Sequence, residues 1–484
     1  MRYLLPGLIL IMTLCSSAQT IKPKDLPNVK KSAVNRLDKQ YEKYKTPALN
    51  IWQYAEVGYQ EYKSSTELKK LLADAGFTIE EGVAAIPTAF VATYGSGSPV
   101  IGILAEYDAL PGLSQLAAPE KSPDPTRKAG HACGHHLFGV ASVAAGIELM
   151  ETMKQTGLKG TIKVFGTPAE EGGSGKVYMV REGLFKSVDV VMHWHPGNRN
   201  AANPSSSLAN ISAKFRFRGV SAHAAGAPEK GRSALDAVES MNYMVNLMRE
   251  HVPSDTRIHY VITSGGEAPN VVPDYAEVYY YARHPKRDVL AEIFGRIKKI
   301  AEAAALGTET KMEMEIIGGV FDLLPNESLA RLMHHNLTAV GGVTYTPEEV
   351  EWAKKIQQSL IGPNQPAINT AALIEPFKID ASGSGGSTDV GDVSYVVPTV
   401  GLSTATWVPG TPAHSWQAVA CGGTDIGIKG MMVAAKTLAL TGIDLLNEPT
   451  QIQKAKEEFD RRRGPGFTYS ALIGDRKPAL DYRK

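Results

Sequence analysis

Cysteine is scarce in this chain: Cys15, Cys133 and Cys421 are the only three in 484 residues. Cys15 lies in a short apolar run at the start of the chain, so two cysteines remain if that run is removed. These two can form at most one disulfide in an oxidising compartment. A metal ion bound to the Cys133 thiolate would forbid that disulfide.

Excess charge and long apolar runs are also absent. The formal net charge is +1, which gives no reason to expect nucleic acid or an anionic membrane as a partner. The apolar run Leu4–Leu14 is too short to span a bilayer, and no later stretch reaches the roughly 20 apolar residues that a span needs.

The first residues instead predict a secretory signal peptide over 1–18. Met1-Arg2-Tyr3 gives a charged start, the apolar run follows, and Ser16-Ser17-Ala18 offers small residues for cleavage after Ala18. Leu14 is too bulky for a lipoprotein cleavage site before Cys15. We therefore expect a soluble exported protein, which would be periplasmic in a Gram-negative source.

The length predicts two domains, one inserted into the other. Strands and helices alternate in the flanking parts, with polar residues after the strands, which predicts an α/β domain with its site at the carboxyl edge of the sheet. Gly-Ser-Gly-Ser at 95–98 predicts a hairpin between the strands 90–94 and 99–105. From 210 the order β-α-β-β-α-β predicts a ferredoxin-like α+β module. The expected boundaries after the signal peptide are 24–209 and 326–445 for the first domain, 210–325 for the insert and 446–484 for an extension.

The stretch Gly130-His131-Ala132-Cys133-Gly134-His135-His136 is the richest in potential metal ligands. It precedes a predicted buried helix, and both a helix N-terminus and a cation favour the deprotonated thiol. Thiolate and imidazole ligands suit a transition metal. The alternative is a surface histidine cluster beside a buried cysteine.

Further polar loops follow the predicted strands, and they decide between these interpretations. Glu106-Tyr107-Asp108 ends one strand, although Asp108 could be a plain helix cap. Ser382–Asp392 is a Gly-Ser stretch that is either an active-site loop or a flexible linker. The candidate ligands that the fold would bring to one edge are Cys133, His135, Glu171, His193 and His414.

Five such ligands suit a pair of divalent ions, which lower the pKa of a bound water toward about 7. Glu170 lies beside Glu171 in a glycine-rich loop, where two adjacent carboxylates would be costly as a stability device. A carboxylate that is not bound to metal can accept a proton from the water, and Glu170 is our candidate for that role.

The motifs resemble those of the M20 metallopeptidase and aminoacylase family, in its amidohydrolase branch. The residues that carry the resemblance span most of the mature chain: 131–135, 168–172, the spacing of His193 and Pro196, 221–225, 269–274 and 413–415.

The resemblance implies a di-zinc or di-manganese site in which Cys133 bridges both ions, with Glu170 as general base. It implies that the inserted module is a lid and dimerisation domain of a homodimer. In that arrangement His223 would stabilise the oxyanion in the partner's site, and Asn270 would contact substrate. Arg283 would clamp a substrate carboxylate, unless it is a solvated arginine at a strand end.

Some positions depart from the family pattern. His136 stands where many relatives have Asp, so the surroundings of His135 are expected to differ. His195 would face the same side of a strand as His193 and is a rival ligand. Cys421 matches no motif and is expected to be a packed core thiol.

Together these features predict a metal-dependent amidohydrolase that cleaves the amide bond of N-acyl or N-aroyl amino acids. A dipeptidase or carboxypeptidase of the same fold is the alternative, since both reactions need the same activated water. A non-catalytic, secreted metal-binding protein is a further alternative. The presence of both Glu170 and Glu171 argues against it, because a scaffold needs no general base.

Overall fold

The computed structural model describes residues 20–379 and 385–483, so the predicted signal peptide and the start of the Gly-Ser stretch at 382–384 lie outside the described residues. The strands, in chain order, are β1 (Thr78–Glu81), β2 (Phe90–Ser96), β3 (Val100–Ala105), β4 (Leu110–Pro111), β5 (Ala129–Gly130), β6 (Gly160–Gly166), β7 (Val190–Gly197), β8 (Ala209–Arg218), β9 (Arg257–Ser264), β10 (Tyr275–His284), β11 (Lys311–Val320) and β12 (Thr399–Ala405).

The α-helices alternate with these strands over much of the chain. In order they are α1 (Leu26–Lys39), α2 (Tyr41–Tyr54), α3 (Tyr62–Ala75), α4 (His135–Thr156), α5 (Gly175–Arg181), α6 (Ala234–Met248), α7 (Arg287–Gly307), α8 (Glu327–Val340), α9 (Pro347–Gln358), α10 (Val390–Ser394), α11 (Trp416–Gly422), α12 (Asp425–Asn447) and α13 (Pro449–Arg463).

The larger domain is built on a six-stranded mixed sheet with the order β1-β2-β6-β3-β7-β12. Four neighbouring strands of this sheet, β6, β3, β7 and β12, run parallel to one another, whereas β1-β2 and β2-β6 are antiparallel pairs. The prediction that β2 and β3 form a hairpin is wrong, because β6 lies between these two strands and pairs with both. The carboxyl ends of β3, β6, β7 and β12 therefore share one edge, which is where ligands bind in open α/β sheets.

Two long helices, α4 and α12, form the centre of the core against this sheet. Almost every side chain of α4 is buried, and Gly146 lets the helix approach Val164 of β6, since a Cβ there would lie 2.7 Å from that side chain. α12 is long and apolar enough to cross a membrane by length and composition alone. Most of its side chains are buried inside the domain, which accounts for the composition.

The inserted module is a separate four-stranded antiparallel sheet with the order β11-β8-β10-β9. Alternate residues of β8 and β10, such as Phe215 and Val278, point to a second apolar core that α6 and α7 complete. The chain order of strands and helices is that of a ferredoxin-like module. The predicted fold class, an α/β metallopeptidase-type domain with an inserted α+β module, is confirmed.

Candidate metal centre

A tight turn before α4 carries Cys133 to the carboxyl edge of the sheet. Gly134 adopts a φ of +77°, and a Cβ on it would lie 2.6 Å from the Pro196 side chain at the end of β7, so glycine is needed there. The Cys133 Sγ lies 3.4 Å from the Nε2 of His195 and 3.5 Å from the Nε2 of His414. The turn thus brings the start of α4 next to the end of β7 and the loop that follows β12.

Asp108 orients both a histidine and a glutamate of the site. Its Oδ1 lies 2.9 Å from the Nδ1 of His135, and its Oδ2 accepts the backbone N–H of Glu171 at 2.9 Å. A hydrogen bond from Nδ1–H to the carboxylate leaves the Nε2 lone pair of His135 free for a metal ion. That Nε2 lies 3.1 Å from the Oε2 of Glu106, but the two groups are not aligned for a hydrogen bond.

Three overlapping groups of potential ligand atoms lie at this edge, each with all its atoms within 4.8 Å of one another. They are Cys133, His135 and His195; Cys133, Glu171 and His414; and His135, Glu170 and Glu171. The first two groups share Cys133 alone and together contain five different residues, which is the arrangement that a ligand shared by two ions requires. His135 and Glu171 also belong to two groups each, through the third group.

The chemistry of these atoms fits bound cations. The Nε2 of His135 and the Oε2 of Glu106 are buried and lack a hydrogen-bond partner among the described residues. The Oε1 of Glu171 is also buried, and the Nε2 of His414 lies 3.3 Å from it. Buried polar atoms without a partner are costly, and a cation would satisfy the His135 and Glu106 atoms. Burial raises the pKa of the Cys133 thiol, so a thiolate there needs nearby positive charge.

The sequence predicts His193 as the ligand from β7, but the structure places the side chain of His195, and not that of His193, among the potential ligand groups. The predicted strand 188–192 is shifted: β7 runs to Gly197, so both histidines lie within it and face one side. His193 packs against Gly401 of β12, where a Cβ would lie 2.4 Å from its ring, and it belongs to none of the three groups. His195 is two residues nearer the carboxyl end of the strand, and its Nε2 lies within 3.4 Å of Cys133 Sγ.

The loop that carries Glu170 and Glu171 is bent sharply at both ends. Ala169 and Ser174 have positive φ values of +58° and +59°, which non-glycine residues rarely adopt and which cluster at functional sites. Burial, Glu106 and Glu171 raise the pKa of Glu170 well above its ordinary value. Glu171 belongs to two of the ligand groups and Glu170 to one, which favours Glu171 as the ligand and leaves Glu170 for proton transfer.

A buried lysine that no sequence motif marks lies beside the cluster. The Nζ of Lys176 on α5 is 2.7 Å from the Oε1 of Glu106 and 2.7 Å from the Oδ1 of Asp389, and its side chain is 0% exposed. Lys176 therefore balances two of the carboxylates that crowd the metal centre. One lysine at the start of a short helix gives no sequence signal for this role.

A cavity of about 830 Å³ opens over the ligand groups, between the two domains. Glu106, Cys133, Glu170 and His414 of the larger domain line it, and so does Arg283 of β10 in the inserted module. Arg283 is half-exposed and lines the cavity, so its role in substrate binding stays a prediction.

His223 and Asn270 lie next to each other on the inserted module, but neither lines this cavity. A β-bridge pairs His223 with Val271, and the Asn270 carbonyl accepts the N–H of Ala224 at 3.0 Å. The His223 side chain is exposed, and its Nδ1 accepts the backbone N–H of Gly226 at 3.0 Å. Within one chain, these two residues are near each other and outside the lining of the cavity over the ligand groups.

The remaining histidine and cysteine candidates lie outside the ligand groups. The Nε2 of His136 is 3.0 Å from the Gly422 carbonyl, and burial lowers its pKa to about 3, so it is a neutral structural donor. Cys421 packs in an apolar cluster with Trp407 and Val408.

Comparison with known proteins agrees with this geometry. Residues 209–309 match the family profile described as a peptidase dimerisation domain. The chain is 40% identical over 445 residues to a subunit of p-aminobenzoyl-glutamate hydrolase from Escherichia coli (strain K12), covering 87% of this chain and 92% of that protein. It is 28% identical over 456 residues to a Mus musculus Xaa-Arg dipeptidase, covering 91% and 94% of the two chains.

A solved structure has the same fold at lower sequence identity. A dinuclear metal binding peptidase of the M20 family from Bacillus subtilis superposes with a TM-score of 0.56 at 15% identity, covering 86% of this chain and 99% of that one. The fold, the ligand groups at the sheet edge and the 40% identity over most of the chain lead to one conclusion. This chain belongs to the M20 family of metal-dependent peptidases and amidohydrolases.

Proposed function

We propose that the protein hydrolyses the amide bond between an acyl or aroyl group and an amino acid, with p-aminobenzoyl-glutamate as the first substrate to test. The observation that carries the proposal is the shared position of Cys133 in two ligand groups, with Glu170 beside them in the same cavity. The name of the Escherichia coli relative supplies the substrate class.

The proposed ligands are Cys133 as the bridge, with His135, Glu171, His195 and His414. Divalent ions held by these side chains would lower the pKa of a water toward about 7 and polarise the scissile carbonyl. Zinc is favoured by the thiolate, whereas the carboxylate and imidazole ligands suit zinc or manganese equally.

The protein's own groups would move the proton. Glu170 accepts a proton as a C–O bond forms between water and the carbonyl carbon, and it returns that proton to the amide nitrogen as the C–N bond breaks. The products are a carboxylate and an amino acid with a free amine. Arg283 lines the same cavity and would hold the carboxylate of the amino acid.

Dipeptide hydrolysis is the second candidate, because the Mus musculus relative is named as an Xaa-Arg dipeptidase. The same water and the same base would serve it. Discrimination rests on the amino-acid half of the substrate, where Arg283 would repel an arginine side chain and attract a carboxylate.

We further propose that the inserted module forms a dimer and that His223 acts in the partner's site, which explains why it does not line the cavity of its own chain. If so, mixing inactive His223→Ala with inactive Glu170→Gln restores activity, since a mixed dimer holds one intact site.

Two Escherichia coli relatives are named as different subunits of p-aminobenzoyl-glutamate hydrolase, so the protein should be assayed both alone and with a relative of the other kind. Residues 1–18 are proposed to be a signal peptide that directs export, which would be to the periplasm in a Gram-negative source.

The test is hydrolysis by the mature protein after chelator treatment and separate addition of zinc or manganese. Release of glutamate from p-aminobenzoyl-glutamate, dependent on added metal and faster than release of arginine from an Xaa-Arg dipeptide, supports the proposal. Faster cleavage of the dipeptide would make the second candidate correct, and no metal-dependent cleavage of either would overturn both.

A further inference from the structure

The segment after α13, residues 464–483, packs back across the domain instead of leaving it. On α5, Arg181 donates from Nη1 to the Arg476 carbonyl at 2.8 Å. Further along, the Gln60 side chain donates to the Leu480 carbonyl at 2.7 Å. These bonds from the body of the domain fix the course of the segment toward the metal centre.

The segment ends against the loop of the two glutamates. The Tyr482 hydroxyl donates to the Glu171 carbonyl at 3.1 Å, and the Nη2 of Arg483 donates to the same carbonyl at 2.9 Å. The Tyr482 ring packs edge-on against Tyr59 at 5.6 Å, and the Tyr59 hydroxyl donates to the Gly173 carbonyl at 2.7 Å. The position of Arg483 is therefore determined by specific contacts to a catalytic loop.

Arg483 lines the same cavity as Arg283 and as the proposed ligands Cys133, Glu171, His195 and His414. In the described ranges no carboxylate lies within 4.0 Å of either guanidinium, in contrast to Arg476 of the same segment, which lies 3.6 Å from Glu315. Each of the two arginines packs on a neighbouring ring, with Arg483 5.0 Å from the centroid of Tyr482. A guanidinium in a cavity without a carboxylate partner is a ready site for an anion.

We infer that Arg483 is a specificity-determining residue that binds a carboxylate of the amino-acid half of the substrate. The Glu171 carbonyl uses one N–H of its guanidinium, which leaves donors for a carboxylate. With Arg283 holding one carboxylate and Arg483 the other, the substrate class is an N-acyl or N-aroyl derivative of an acidic amino acid. This inference rests on the proposed amidohydrolase function and adds the group that selects the amino acid.

A purely structural role for Arg483 makes a different prediction. If its only task were to hold the Glu171 carbonyl, removal would disturb the metal ligand and slow every substrate to the same extent. If it binds a substrate carboxylate, removal would affect only substrates that carry that carboxylate. A comparison of matched substrates separates the two.

The experiment measures kcat/KM of the full-length mature enzyme on N-benzoyl-glutamate and on its two mono-amides, in which either the α-carboxylate or the side-chain carboxylate is a primary amide. Arg483→Gln is the test variant. Lys477→Gln is the matched control, since Lys477 is an exposed cation of the same segment that does not line the cavity. Metal content is measured for every variant.

Arg483→Gln is expected to lower kcat/KM for N-benzoyl-glutamate about 10- to 100-fold, mainly through KM. For the one mono-amide that lacks the carboxylate bound by Arg483, the same substitution should change kcat/KM less than about 3-fold. Lys477→Gln should leave kcat/KM unchanged on all three substrates. An equal loss on all three substrates, or no loss, would overturn the inference. If Arg483→Gln does not fold, Arg483→Lys is the test variant, because lysine keeps the positive charge but cannot bind a carboxylate with two parallel N–H donors. A wild-type enzyme inactive on all three substrates would count against the proposed function itself.

Discussion

The carboxylate of Asp108 lies 2.9 Å from the Nδ1 of His135, on the side of the ring opposite the ligand atom. Because the same carboxylate holds the Glu171 backbone, its removal releases two proposed ligands at once. Asp108→Ala should weaken metal binding about 10- to 100-fold while the protein stays folded. A chelator competition titration measures this, with Asp189→Ala as the control, since Asp189 accepts the N–H of Val100 at the other end of the strands. Unchanged metal affinity in Asp108→Ala would contradict the role.

The two histidines of β7 offer a direct comparison. His195→Ala should lose bound metal, because its Nε2 lies 3.4 Å from Cys133 Sγ. His193→Ala should keep its metal, because His193 belongs to none of the ligand groups. Metal content by mass spectrometry checks both variants after identical dialysis. The reverse result would restore the assignment expected from the sequence.

The adjacent glutamates should separate catalysis from metal binding. Glu170→Gln should lower kcat by about 10² to 10⁴ and leave metal content unchanged, as expected for loss of a general base. Glu171→Gln should lose metal, because Glu171 belongs to two ligand groups. Measured side by side, loss of metal in Glu170→Gln would show that the two roles are exchanged.

Asp392 of α10 should make stability depend on pH. Burial raises its pKa to about 7 even though it accepts hydrogen bonds from the Phe321 N–H and the Tyr469 hydroxyl. Between about pH 4 and 7 the folded state binds up to one more proton than the unfolded state, so this contribution is present below pH 4 and is lost as pH rises to 7. The slope reaches about 1.4 kcal/mol per pH unit.

Asp392→Asn removes this titration; its Oδ1 can accept the Phe321 N–H, and its Nδ2 can donate to the Tyr469 hydroxyl oxygen. The difference in unfolding free energy between wild type and variant, measured by urea denaturation from pH 4 to 8, should therefore change across that window and be level above it. A difference that stays constant from pH 4 to 8 would show that Asp392 is ionised throughout.

Motifs in the sequence predicted the fold class, which is confirmed, and named most of the side chains that lie together at the candidate metal centre. They could do so because residues that follow parallel strands meet at one edge of a sheet. Sequence alone could not choose between His193 and His195. They face the same side of β7, and the choice depends on how far the strand extends and on its neighbour Gly401. Strand order was equally hidden: β6 pairs between β2 and β3, although a turn joins those two in the sequence.

Contacts between residues distant in the chain escaped prediction for the same reason. Lys176 and Asp389 are 213 residues apart, and neither lies in a motif that marks their ion pair. Arg483 is 312 residues from Glu171, in a polar segment that resembles a solvated tail by composition. Only the folded chain places these charges at the site.

The metal content of wild type and Cys133→Ala is the decisive measurement for a two-ion centre bridged by Cys133, because Cys133 belongs to two ligand groups. The protein is loaded with zinc or manganese, dialysed and analysed by mass spectrometry of the metal. We expect two ions per chain for wild type and loss of both from Cys133→Ala, while Cys421→Ala keeps both. A Cys133→Ala protein that is folded and still holds two ions would contradict the bridging role.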